Sequence, residues 1–318
     1  DNFWTGAVSS DWNDGANWDL GGVPDAEYGD NAVVATNSPN IATITVDIAL
    51  PNDINVTAGA RIDHQAGVAG TTNGAWMAVG MDTNASSYNL ADTSTGGTGV
   101  SGYGQGTGTL NATGNLNLAA WGGNRNGTIN INTTGALNVT GALRIGNDGG
   151  SVGIMNLESG TVVVSNINTF AGGENNIGHD GGVATLNISG GSLSVAEVLR
   201  FGNGSGGNGT LNMTGGAINK AGNGQFLVGH NNGTGTVVQS GGTIIANNEL
   251  YIGNENAGAS GTYTLSGTGA LTVSNEVVVG RESGTGVLNV NGGTLTTEGN
   301  GNMYIGRRNG TGTLNQTD

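Results

Sequence analysis

Asp11, Asn13 and Asp14 set three oxygen-bearing side chains within four residues, just ahead of Gly15. Carboxylate and amide oxygens gathered at a turn are what a calcium loop is made from. Asp25 and Asp30 follow in the same acidic stretch, so Asp11, Asp14, Asp25 and Asp30 are the candidate calcium ligands. The spacing is not that of an EF-hand, and Asp and Asn are also ordinary turn residues that hydrogen-bond their own backbone. Calcium is the one cofactor the chain suggests. His64, His179 and His230 show no paired ligand spacing, and the chain has no cysteine, which removes thiol chemistry. Later carboxylates such as Glu158, Glu197, Glu249 and Glu276 occupy different slots of a repeating unit. A polysaccharide lyase or hydrolase needs its acid–base groups on one face. No catalytic residue is assigned, and an enzyme is not expected.

Trp4, Trp12 and Trp18 are three of the five tryptophans and fall within the first 30 residues. Three roles suit them: a cap over an exposed core end, an aromatic platform for a sugar, or a plug for a neighbouring subunit. Which holds depends on the element they sit on.

That element is a repeat. A unit of about 26 residues, G-T-L-N-x-T/S-G-G-x-L-x-V followed by L-x-I-G, recurs along the last two-thirds of the chain. The glycine closing L-x-I-G falls at 146, 178, 202, 229, 253, 280 and 306, with spacings of 32, 24, 27, 24, 27 and 26. A fixed period of this size is the mark of stacked repeats. Each unit holds three short apolar alternations, such as Leu186/Ile188, Leu193/Val195 and Leu199/Phe201. Period-two alternation predicts strands with one buried face, and Gly-Gly and Asn-Gly pairs supply the corners. The predicted fold is all-β: a right-handed, single-stranded parallel β-helix with three short strands per coil, about nine regular coils and a Trp-rich N-terminal cap.

Stacking puts equivalent residues above one another. Asn111, Asn156, Asn187, Asn212, Asn289 and Asn315 recur at one position and are expected to form an amide ladder. The residue two before each closing glycine should face solvent. Toward the C-terminus that column reads Leu227, Tyr251, Val278 and Tyr304, an apolar stripe suited to lateral binding of a partner or glycan.

The chain divides into an acidic cap and assembly segment (1–30), irregular first coils (31–100) and regular coils (101–318). Phe3-Trp4-Thr5-Gly6, Asp11-Trp12, Asn17-Trp18 and Val23-Pro24, followed by the G-T-L-N and L-x-I-G coils, resemble the autotransporter-associated β-strand repeat proteins. Large secreted surface proteins of planctomycetes share the pattern. The resemblance implies a bacterial parallel β-helix at the cell surface or in the matrix, adhesive or structural in role.

Charge narrows the partners. Residues 1–100 hold 12 acidic and one basic residue, for −11, and residues 101–318 hold 11 and 7, for −4. A nucleic-acid footprint needs a basic face, which is missing, and no run of 18 apolar residues offers a membrane span. A start at Asp1 without an apolar leader reads as a processed secretory precursor. The sequence halts at Thr311–Asp318, the opening of a further unit. An open coil leaves unpaired backbone groups and bare core. The expectation is therefore an extracellular subunit whose partner is itself, head to tail, with Trp4, Trp12 and Trp18 of one copy meeting Leu314 and Asn315 of the next. The alternative is a monomeric adhesin that binds extracellular polysaccharide.

Overall fold

The computed structural model describes residues 1–72, 76–91, 104–166, 175–299 and 301–317. It is a β-solenoid of about 11 coils. Two sheets run its length, one of 12 strands and one of 16, and the strands pair in parallel, coil upon coil. One coil illustrates the rest. Val183–Ile188 and Ser192–Val195 belong to the larger sheet and Leu199–Asn203 to the smaller, so the three alternations of each unit become three strands. In four coils the first two strands merge into one bent strand, as in Ser260–Val273, where the register shifts between Gly267 and Ala270.

The register stacks like on like. Leu186, Leu211, Val237, Tyr263 and Leu288 form one inward column, and Leu199, Phe226, Leu250 and Val277 form another. These columns make one apolar core that extends from Trp4 to Leu288 without a break. Residues 31–72 and 76–91 lack the regular motif yet build full coils on the same core, which is why the coils exceed the nine that the motif marks. The three sequence segments are therefore stretches of one stack. The boundary between 100 and 101 lies outside the described residues.

The closing glycines are a backbone requirement. All seven, and Gly80 before them, have φ between +57° and +76°. A Cβ on Gly202 would lie 1.8 Å from the Thr234 carbonyl oxygen of the next coil. The chain turns there in a conformation that L side chains disfavour, against a neighbouring strand that leaves room only for hydrogen. In one coil the register puts Ala119 at this position, and it holds φ +52°.

At the N-terminus, Asn2–Phe3 pairs with Ala32–Val34, and Thr43 exchanges backbone hydrogen bonds with Ser10 and Trp12. The first coil's edges are thus covered. Trp4, Trp12 and Trp18 are buried and meet edge to face, with ring centroids 5.2 Å (Trp4–Trp18) and 4.7 Å (Trp12–Trp18) apart. Trp18 Nε1 donates to the Trp12 carbonyl and Trp4 Nε1 to that of Asn40. This corrects the assembly assignment for these three. Their rings belong to the core as a cap and present no surface to a second copy.

Candidate functional site

The outward side of the 12-stranded sheet carries two adjacent columns, one on each side of the closing glycines. The first runs Arg144, Asn176, Arg200, Leu227, Tyr251, Val278, Tyr304, and the second runs Asn147, His179, Asn203, His230, Asn254, Arg281, Arg307. Four of the chain's eight cationic residues stand here, although the chain as a whole is at −15.

The stripe Leu227, Tyr251, Val278 and Tyr304 does face away from the core, but it is not exposed. Leu227 is 2%, Tyr251 7% and Val278 0% exposed, and Tyr304 is half-buried. They form a small apolar cluster of their own with Val198. The physical reason lies in the second column. The Arg281 guanidinium lies 4.8 Å above the Tyr251 ring and that of Arg307 4.4 Å above Tyr304. Long cationic side chains cover apolar surface with their stems and stack on aromatic faces. The expected apolar surface stripe is therefore corrected to a cation-covered satellite core.

Above it lies a groove of about 380 Å³, lined by Arg200, Leu227, His230, Tyr251, Glu255 and Arg281 among others. Arg281 Nη1 donates to Asn254 Oδ1 at 2.9 Å, and Asn254 Nδ2 lies 3.0 Å from His230 Nδ1. An amide nitrogen only donates, so His230 Nδ1 accepts and its proton sits on Nε2, which points at Glu255 Oε2 at 3.5 Å. Arg307 Nη1 donates to both Glu276 oxygens at 2.7 Å, and the Tyr251 hydroxyl donates to the same carboxylate at 3.1 Å. Burial, then the charge of Glu249 and the hydrogen bond to Glu276, push the Tyr251 phenol upward, so it stays a donor. The groove is thus lined by guanidinium, imidazole, amide and phenol groups that hold one another and the Glu255 and Glu276 carboxylates in fixed orientations.

The ladder exists and is longer than the motif suggested. Asn89 donates to Asp63, Asn130 to Asn89, Asn156 to Asn130, Asn187 to Asn156 and Asn212 to Asn187, at 2.7–2.9 Å. Val238 interrupts it. It resumes as Asn289 to Thr264 and Asn315 to Asn289. Asn111 is a correction. It lies on the second-strand column and accepts from Asn138 Nδ2 at 2.8 Å, because Thr109–Ala112 pairs with the later half of Asn126–Val139.

The candidate calcium ligands are not brought together. Asp11 Oδ1 accepts from Asn13 N, Asp14 Oδ1 from Ala16 N and Asp25 Oδ1 from Glu27 N, each closing its own local turn. Among the described residues no three His, Cys, Asp or Glu side chains form a metal-holding group. The side-chain arrangement therefore gives the calcium assignment no support.

Three buried polar positions escaped sequence reading because they interrupt apolar columns singly. His64 Nε2 donates to the Gly67 carbonyl at 3.0 Å and Nδ1 accepts from the Tyr88 hydroxyl at 2.9 Å, and burial lowers the imidazole to about 4. Lys220 stands in the column Val164, Val195, Lys220, Ala246, Val273 and donates to the Gly222 carbonyl. Burial lowers it to about 8 against the opposing pull of Glu197 and Glu249. Gln239 accepts from the Tyr263 hydroxyl at 2.6 Å inside the core.

Compared with models of known families, with curated proteins and with solved structures, the chain has no match in any of the three.

Proposed function

We propose that this chain is an extracellular structural protein, a β-solenoid subunit that adds copies end to end into a surface or matrix filament. The observation that carries the reading is the constancy of the inter-coil template. From Ala32–Val34 to Thr311–Thr317, successive coils meet through parallel backbone edges and in-register apolar columns, and most also through the amide column. Polar side chains that could serve chemistry are largely engaged in holding coil to coil.

The last described strand, Thr311–Thr317, carries the same column residues as the coils before it, with Leu314 in register with Leu288 and Asn315 with Asn289. At the other end the cap segment exposes Phe3, Val8, Leu20 and Tyr28. These, rather than the buried tryptophans, are the apolar groups available to an axial neighbour. A contact between two different ends is heterologous and propagates. The acidic, threonine- and asparagine-rich surface and the resemblance to autotransporter-associated repeats favour a place outside the cell.

Sedimentation velocity and negative-stain microscopy test the reading on residues 1–318 from micromolar to millimolar concentration. The expected result is rods that lengthen with concentration at constant width, and that revert to single rods in Leu20→Asp, a change on the exposed face of the cap segment. Rods of one length at every concentration would refute end-to-end growth.

A further inference from the structure

The two tryptophans outside the cap form an exposed pair. Trp76 precedes the strand Met77–Val79 and Trp121 follows Leu116–Leu118, which are neighbouring rungs of the 12-stranded sheet. Their ring centroids lie 4.4 Å apart at 40°, and Trp76 is 46% exposed. The Arg144 guanidinium, on the following rung, is 5.9 Å from the Trp121 ring.

Trp121 is held at a cost. Its φ is +58°, Ala119 has +52° and Asn124 +61°, three non-glycine residues in the left-handed region within six positions. Such a conformation is disfavoured in a bulky residue and persists only where its surroundings enforce it. Here they do. Arg125 Nη1 donates to the Ala120 carbonyl at 2.9 Å, Gly122 N donates to Asp148 Oδ2 at 3.2 Å and Ser151 Oγ donates to the Gly122 carbonyl at 3.0 Å. The loop is braced to hold the indole against Trp76.

We propose that Trp76, Trp121 and Arg144 form a binding site for one pyranose ring of a neutral polysaccharide. The C–H face of the sugar stacks on the open side of the Trp76 indole. Arg144 donates to ring hydroxyls. An apolar aromatic surface with a few convergent polar groups is the usual make-up of a small-molecule site. Charge selects the neutral class. The first 100 residues carry −11, Asp53 Oδ1 accepts from the Trp76 backbone N–H at 2.7 Å and Asp148 stands behind Trp121. A uronate or sulfated chain would meet that field at close range. The site is independent of whether copies assemble.

Affinity electrophoresis of residues 1–318 tests it, in gels containing hydroxyethyl cellulose, galactomannan or polygalacturonate. Retardation by at least one of the two neutral polymers is expected, and Trp76→Ala should weaken it at least tenfold while the thermal midpoint holds. Arg144→Gln should also weaken retardation while the thermal midpoint holds, a loss that a merely structural arginine would not produce. No retardation by either neutral polymer, retardation by polygalacturonate alone, or retardation unchanged in Trp76→Ala would each overturn the proposal.

Discussion

Asn187 Nδ2 donates to Asn156 Oδ1 at 2.7 Å, across two coils that sequence separates by 31 residues. The Oδ1 of Asn187 in turn accepts from Asn212 Nδ2 at 2.9 Å. Each amide is therefore donor to one coil and acceptor from the next, and the column acts as a register pin alongside the backbone edge. Breaking it at Asn187→Leu removes two such bonds, at about 1 kcal/mol each. Chemical denaturation should show a loss of about 1–3 kcal/mol with little change in the slope of the transition.

The interruption at Val238 makes the converse test. Val238 is outward and 40% exposed, between Asn212 and Thr264 in register. In Val238→Asn the new amide can donate to Asn212 Oδ1 and accept from the Thr264 hydroxyl. A gain of roughly 0.5–1.5 kcal/mol is expected, read as a higher thermal midpoint. A lower midpoint would mean that the ladder contributes no net stability.

Gly202 has φ +69° and faces the Thr234 carbonyl oxygen at 1.8 Å from where a Cβ would be. Gly149 has no atom closer than 4.0 Å to that point. Gly202→Ala combines left-handed strain of about 1–2 kcal/mol with displacement of the next coil, and should unfold at markedly lower denaturant. Gly149→Ala should be neutral or slightly stabilising, since it removes freedom only from the unfolded chain. Equal behaviour of the two variants would show that the closing glycine is not a steric requirement.

His64 carries the acid sensitivity of the first coils. An unfolded chain protonates this imidazole near 6.5, the folded one only near 4. Between those values the unfolded state holds the extra proton, so stability falls as pH drops through the window, by up to roughly 3 kcal/mol. Denaturant midpoints measured from pH 7 to 5 should decline in the wild type and decline less in His64→Gln. Parallel slopes would remove His64 as the cause.

Lys220 gives a pH dependence of the same sign in a more alkaline window. Its ammonium titrates near 8 when folded and near 10.5 when free. The unfolded state therefore binds more protons between those values, and stability rises with pH across them. Lys220→Met fills the same core column with a side chain of similar length and no charge to desolvate. A gain of about 1–3 kcal/mol at pH 7, with the alkaline rise abolished, is expected. Calorimetry at pH 7 and 10 measures both.

Much of this architecture was legible in the residues alone. A 26-residue period, two-residue alternation and a glycine closing every L-x-I-G unit leave few folds open, because only a stack of coils pairs such short strands and lets each anchor glycine meet the next coil's backbone. Asn156, Asn187 and Asn212 were legible for the same reason, since a repeat copies its neighbours' geometry. Other features are decided between coils and have no local signature. Asn111 belongs to another column because of how Thr109–Ala112 pairs, and Tyr251 is covered by an arginine 30 positions later. Trp4, Trp12 and Trp18 turned inward while Trp76 and Trp121 met at the surface. Composition names the aromatic and charged groups, but burial is a property of what the other coils place above them.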